Sequence, residues 1–160
     1  MDNDKLITLL DESIVLEMNM ASLYRIFQHE FADDALFWGQ LAEEELGHAA
    51  LLRSVKEHLG TDCDELPKIF LCESLDKIKA TNQNIAGQLD KIRADCPSRR
   101  KAFDLAFALE NSACEIHYNY FMNKIAVSPV EEILQELNQN DKDHAQRISK
   151  YMANNNIDMD

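Results

Sequence analysis

Residues 37–52 read FWGQLAEEELGHAALL, and this stretch decides the fold because its apolar residues recur with the period of an α-helix. Extended by one turn, the recurring positions form one inner face: Trp38, Leu41, Ala42, Glu45, His48, Leu52 and Val55. That face is apolar except near its middle, where Glu45 and His48 interrupt it. The stretch therefore predicts a long core helix that carries two ionisable side chains into the protein interior.

Three other segments show the same pattern. We expect one helix over about 3–31, the helix above from a capping Asp33 to about 59 with Gly60 as its C-terminal cap, one from a capping Ser98 to about 126, and one from Ser128-Pro129 to about 152. The inner faces of the three additional helices are Leu10, Ile14, Glu17, Ala21 and Tyr24; Phe103, Phe107, Glu110, Cys114, His117 and Phe121; and Val130, Ile133, Leu134, Leu137, Asp141, His144, Ile148 and Tyr151.

These helices form two hairpins, over about 3–59 and 98–152, joined by a connection over 60–97. Residues 60–73 are expected to form a loop, and residues 74–94 a more polar, partly exposed connecting helix. The prediction is an all-α fold, an antiparallel four-helix bundle with one long crossover, built as a single domain over residues 1–160.

Composition narrows the function classes. The 160 residues contain only 4 Gly and 3 Pro, which disfavours an all-β domain, and they carry a net charge of −13. Such a charge repels nucleic acid and anionic membranes, and no apolar run is long enough to span a bilayer. The acidic N-terminus lacks the features of a signal peptide, and the four cysteines form no CxxC pair, so we expect a cytoplasmic protein with free thiols.

The ionisable residues of the inner faces predict a metal centre. Each core helix contributes at least one of them near its middle: Glu17, Glu45, His48, Glu110, Asp141 and His144. Converging buried carboxylates repel one another unless a cation lies between them, and these inner faces contain no Lys or Arg. Two single carboxylates plus two acid-x-x-His pairs form the ligand set of di-iron carboxylate bundles, in which the single carboxylates bridge two ions. Carboxylates with one imidazole per ion suit iron or manganese better than zinc.

The two hairpins also look like copies of one another. Glu17 and Glu110 are 93 residues apart, whereas Glu45 and Asp141, like His48 and His144, are 96 apart. Such a repeat predicts a pseudo-twofold axis that passes between the two ions.

The stretches LEMNMASLYRIF (16–27), FWGQLAEEELGHAALL (37–52), LAFALENSACEIHYNYF (105–121) and LQELNQNDKDHAQRI (134–148) resemble the rubrerythrin-like branch of the ferritin-like superfamily, in its single-domain erythrin type. The resemblance is weakest over 60–97. It implies a ferritin-like bundle, two iron ions with manganese or zinc as possible substitutes, and reduction of hydrogen peroxide or oxygen. It also implies a homodimer, and the long connection leaves open an exchange of hairpins between protomers.

The chain departs from this family at three points. Ala113 stands where the family has a further carboxylate, Asp141 stands where Glu is usual, and the sequence shows no rubredoxin-like domain, so we expect electrons to come from a separate donor such as a rubredoxin. Four more residues are candidates to support the ligands: Tyr24, Tyr118, His117 and Cys114. Tyr24 and Tyr118 follow Glu17 and Glu110 by seven and eight residues.

Three alternatives remain open at this point. Tyr24 and Tyr118 can be plain core residues, Cys114 a buried apolar thiol, and His117 a hydrogen-bonded core histidine. The chain can be an iron-oxidising and iron-storing or iron-binding protein, as ferritins are. It can also be a metal-free bundle that keeps protonated polar groups in its core.

Overall fold

The computed structural model describes residues 2–58, 68–117, 125 and 129–157, and within these ranges the protein is all-helical, without a strand. This confirms the predicted all-α class, whereas the ferritin-like topology stays a prediction. The helices are α1 (Asp2–Glu30), α2 (Ala35–His58), α3 (Lys68–Ala94), α4 (Arg99–His117) and α5 (Pro129–Asn154), with a short 3-10 helix at Ala32–Asp34 between α1 and α2. The chain divides into two compact units, Met1–Asp95 and Cys96–Asp160.

The first unit is built around α1, which packs against both α2 and α3. The short link between α1 and α2 makes these helices an antiparallel hairpin. The predicted inner faces of both helices are buried over their whole length, and Tyr24, Phe27 and Trp38 are fully buried. Trp38 lies 5.6 Å from Tyr24 and 5.1 Å from Phe27 between ring centroids, which closes the core at the turn end of the hairpin.

α3 lies along α1 rather than standing apart as a connection. Its buried apolar residues are Ile78, Ile85, Leu89 and Ile92. Between them, the buried Asn82 donates from Nδ2 to the backbone carbonyl and to the carboxylate of Glu12 on α1, at 2.9 Å each. Two hydrogen bonds to one residue fix the register of the two helices.

The second unit is a pair of antiparallel helices, α4 and α5. Phe103 stacks on Tyr151 with ring centroids 5.5 Å apart, and Glu110 lies beside His144. Because the later residue of α4 pairs with the earlier residue of α5, the two helices are antiparallel. Phe103 and Ile148 are fully buried, whereas Phe107 and Tyr151 are half-buried.

The helix ends agree with the expected signals in part. α4 begins one residue after Ser98, whose carbonyl accepts the Ala102 N–H at 2.9 Å, and α5 begins at Pro129. Beyond α5, the Ile157 N–H returns to the Met152 carbonyl at 2.9 Å, and Asn156 between them adopts a left-handed φ of 52°. This is the bond pattern by which many helices end.

Two boundaries differ from the prediction. The expected loop over 60–73 was wrong for residues 68–73, because α3 already begins at Lys68, one residue after Pro67 in the sequence. Proline is compatible with a helix start, and the apolar residues that follow it favour a helix over a loop. α2 begins at Ala35, after the 3-10 helix that contains Asp33. Gly60 and Ser128 lie outside the described residues.

None of the helices that the structure describes is both long enough and apolar enough to cross a bilayer.

Candidate metal centre

Three predicted ligands come together in the first unit. Glu17 lies on α1, and Glu45 and His48 lie one turn apart on α2. All three are buried, with exposed fractions of 4%, 1% and 9%. One ligand atom from each residue lies within 4.8 Å of the other two, a spacing that a single metal ion can bridge. We call these three residues the first-unit cluster.

The position of this cluster follows from the local structure of α2. Residues three apart on a helix lie on the same face, so Glu45 and His48 are both directed towards α1. Leu41 and Leu52, on the same face, are fully buried on either side of them. The apolar flanks therefore hold the ionisable groups in a dry layer between the two helices, where their mutual interaction is strong.

The charges within the cluster favour a cation at the position of the His48 imidazole. His48 Nδ1 lies 3.1 Å from Glu45 Oε2 and 3.6 Å from Glu17 Oε2. Burial by itself lowers the pKa of the His48 imidazole, but the hydrogen bonds and negative charges of Glu17 and Glu45 outweigh burial and raise that pKa to about 10. Two buried carboxylates thus stabilise a cation strongly at this position.

A divalent metal ion fits this donor set. Two carboxylates and one imidazole offer oxygen and nitrogen ligands of the types that iron, manganese and zinc accept. The ion would replace the proton on His48 as the cation that the two carboxylates face. The first-unit cluster could therefore hold a metal ion, and its residues leave the identity of that metal open.

The second unit carries a related pair. Glu110 on α4 and His144 on α5 are both buried, with exposed fractions of 1% and 2%, and His144 Nδ1 lies 3.5 Å from Glu110 Oε1. Asp141 belongs to α5 one turn before His144, but its side chain is outside the described residues. The structure thus brings together one carboxylate and one imidazole from the predicted second ligand set.

The residues predicted to support the ligands have different outcomes. Tyr24 is fully buried and stacks on Trp38, as a core aromatic residue does. Cys114 and His117 belong to α4, but their side chains are outside the described residues, and Tyr118 lies outside them altogether.

Two residues of the same types as the ligands, Glu43 and His29, lie at the protein surface. Glu43 is exposed and forms an ion pair with Arg25, and His29 is exposed beside Glu30. These residues therefore provide exposed counterparts of the same types as the buried ligands.

Sequence reasoning missed Asn82 as a buried polar residue. It lies between Ile78 and Ile85 at steps of four and three, on the apolar face of α3, and this position was the available signal. Because the polarity of this segment predicts a partly exposed connection, the sequence gives no expectation of a polar contact between α3 and α1.

In comparisons with known proteins, no family model, no curated protein and no solved structure matches this chain. The functional argument therefore depends on the ligand geometry and on the sequence pattern.

Proposed function

We propose that this protein is a non-haem di-iron oxidoreductase that reduces hydrogen peroxide, or oxygen, with electrons from a separate donor. The observation that supports the proposal is the buried first-unit cluster of Glu17, Glu45 and His48. In this proposal, the second ion is held by the second predicted ligand set, of which Glu110 and His144 are 3.5 Å apart.

Two ions are needed for electron balance. When bound, two ferrous ions supply the two electrons that, with two protons, convert one hydrogen peroxide into two waters. The chain's own residues provide ligand oxygen and nitrogen atoms, neutralise the charge of the ions and exclude bulk water through apolar neighbours such as Leu41 and Leu52. His48 must release its proton before Nδ1 can bind an ion, so metal binding is coupled to proton release.

The test combines metal content with oxidation kinetics. The metal-free protein is loaded anaerobically with ferrous iron, bound iron is counted, and the complex is mixed with peroxide or, separately, with oxygen. We expect about two irons per chain and faster oxidation by peroxide than by oxygen. A zinc-loaded sample controls for binding without redox chemistry, because zinc has no accessible second oxidation state.

Matched variants separate the ligands from surface residues of the same type. Glu45→Ala and His144→Ala should each remove iron and the fast oxidation phase. Glu57→Ala, an exposed glutamate on the same helix as Glu45, and His29→Ala, an exposed histidine, should leave both unchanged. Equal losses in ligand and control variants would contradict the proposed site.

Two outcomes would replace the proposal. Many irons per chain in a large particle, without repeated peroxide turnover, would indicate iron oxidation and storage. No retained metal after loading would mean that the buried carboxylates and imidazoles serve the structure alone.

A further inference from the structure

Basic residues gather at one end of the second unit, where α4 begins and α5 approaches its C-terminus. The Phe103–Tyr151 stack brings these two segments side by side. Within residues 96–104 and 144–157 the sequence has five cationic residues and one acidic residue, Asp104. The five, which we call the basic end, are Arg99, Arg100, Lys101, Arg147 and Lys150.

This local charge is opposite to that of the rest of the protein. Residues 1–95 carry nine Lys and Arg against nineteen Asp and Glu, residues 105–143 carry two against seven, and residues 158–160 add Asp158 and Asp160. Lys101 and Lys150 are exposed, and Arg99, Arg100 and Arg147 are half-buried. The basic end is therefore a surface where a negatively charged partner meets attraction on an otherwise acidic molecule.

Helix electrostatics disfavour this arrangement. The first turn of α4 contains no acidic residue and begins with three consecutive cations, although the N-terminus of a helix prefers negative charge. Arg100 Nε lies 3.8 Å from Asp104 Oδ2, one turn further along the same helix. Residues whose charge destabilises the helix that carries them are typical of sites with another role.

The basic end also has the features of a protein-binding surface. The Arg99 guanidinium lies over the Phe103 ring, 5.9 Å from its centroid, and Phe103 stacks on the half-buried Tyr151. These contacts already restrict the side chains in the free protein, so less conformational entropy is lost on binding. Arginine and tyrosine are enriched at protein interfaces for this reason and for their large contact area.

The basic end lies close to the proposed ligands of the same unit. Phe103 precedes Glu110 by seven residues on α4, and Tyr151 follows His144 by seven on α5. Seven residues correspond to about 10.5 Å along a helix axis. A partner docked at the basic end would thus lie about two helical turns, measured along α4 and α5, from the Glu110–His144 pair.

We propose that the basic end docks an acidic protein that donates electrons one at a time. The inference rests on the proposed function, since each peroxide reduced to two waters requires two electrons and two protons, and a one-electron donor must deliver twice. Five cations match a local acidic patch on a protein. A nucleic acid or an anionic membrane would instead expose the whole molecule, with its net charge of −13, to an extended negative field.

The test uses the iron-loaded full chain and, as the probe, a reduced rubredoxin of net negative charge. The triple variant Arg99→Glu, Lys101→Glu, Lys150→Glu reverses the basic end. The control reverses three exposed cations of the first unit, Arg53→Glu, Lys77→Glu and Lys91→Glu, and changes the net charge equally. Two of the three test substitutions place Glu in the first turn of α4, where it favours the helix, and thermal unfolding checks that both variants fold.

Binding and turnover are measured separately. We expect the test variant to lose about tenfold or more in affinity for rubredoxin at low ionic strength, and the control to lose much less. Added salt should weaken wild-type binding and close the gap between the two proteins, since exposed charges are screened over about 10 Å at 0.1 M. With rubredoxin as the donor, kcat/KM should fall in parallel. With reduced methyl viologen, a small cationic donor, the variant should match the wild type.

Each outcome assigns the failure to one proposal. Peroxide turnover with methyl viologen, together with equal rubredoxin affinity in test and control variants, would overturn the docking inference and leave the enzyme proposal standing. Absence of turnover with either donor, together with a selective loss of rubredoxin binding in the test variant, would overturn the enzyme and support the docking surface. Tight binding of duplex DNA or anionic vesicles to the basic end, without rubredoxin binding, would overturn the acidic-protein proposal.

Discussion

Each unit of this protein buries a carboxylate beside an imidazole, and the two units differ in how their described helices pack. In the first unit, α1 packs against two helices, and the inner faces of α1 and α2 are buried throughout. In the second unit, α4 packs against α5, and the described side chains of Phe107 and Tyr151 on their inner faces are half-buried. In both units, a buried carboxylate lies beside a buried imidazole between two facing helices, and in the first unit a third helix, α3, also packs on α1.

The largest expected difference between the units is in core stability. Trp38→Ala removes a fully buried aromatic side chain that contacts Tyr24 and Phe27, and should lower the free energy of unfolding by about 3–5 kcal/mol. Phe107→Ala removes a half-buried ring from the second unit and should cost clearly less. Urea unfolding of the metal-free protein measures the loss in each variant. Equal losses would contradict the expected difference in core stability between the two units.

A pH effect should follow from the first-unit cluster. The pKa of His48 is about 10 in the folded metal-free protein, above the ordinary value of 6.5 that applies to the unfolded chain. Its contribution to stability is therefore fully present below pH 6.5, declines as the pH rises above that value, and is lost as the pH passes through about 10.

Urea unfolding between pH 6 and pH 10 would measure this decline, provided that the protein is kept free of metal. His48→Gln should flatten the decline, and the exposed His29→Gln should leave it as in the wild type. A decline that persists unchanged in His48→Gln would assign the effect to other groups.

A smaller effect should report on α3, the third helix of the first unit. Asn82→Ala removes both hydrogen bonds that the buried Asn82 donates to the half-buried Glu12, which should cost about 1–2 kcal/mol. The exposed Asn84→Ala on the same helix serves as the control. If urea unfolding gave equal effects for the two variants, Asn82 would not fix the register of α3.

The smallest effect belongs to the end of α5 in the second unit. Asn156 has a φ of 52°, a conformation that glycine adopts without strain, so Asn156→Gly should keep or raise stability by up to about 1 kcal/mol. Asn156→Ala should lower it by a similar amount because alanine carries a Cβ without the local hydrogen bonds of asparagine. Thermal unfolding would order the three proteins, and alanine at or above glycine would contradict this account.

The sequence by itself determined the helical class, most helix ends and the ionisable residues of the inner faces. Glu17, Glu45 and His48 were found because each interrupts an apolar face, and a helix period can be read from local sequence alone. Burial of these residues follows from the same period, since a helix has one face to bury.

Only the tertiary structure decided the contacts between helices. The two carboxylates that raise the pKa of His48 come from different helices, and the packing of α3 on α1 through Asn82 joins residues 70 positions apart. Periodicity states which face of a helix is buried and says nothing about which helix covers it. That choice depends on side-chain fit and hydrogen bonding between distant segments, so it emerges only when the chain has folded.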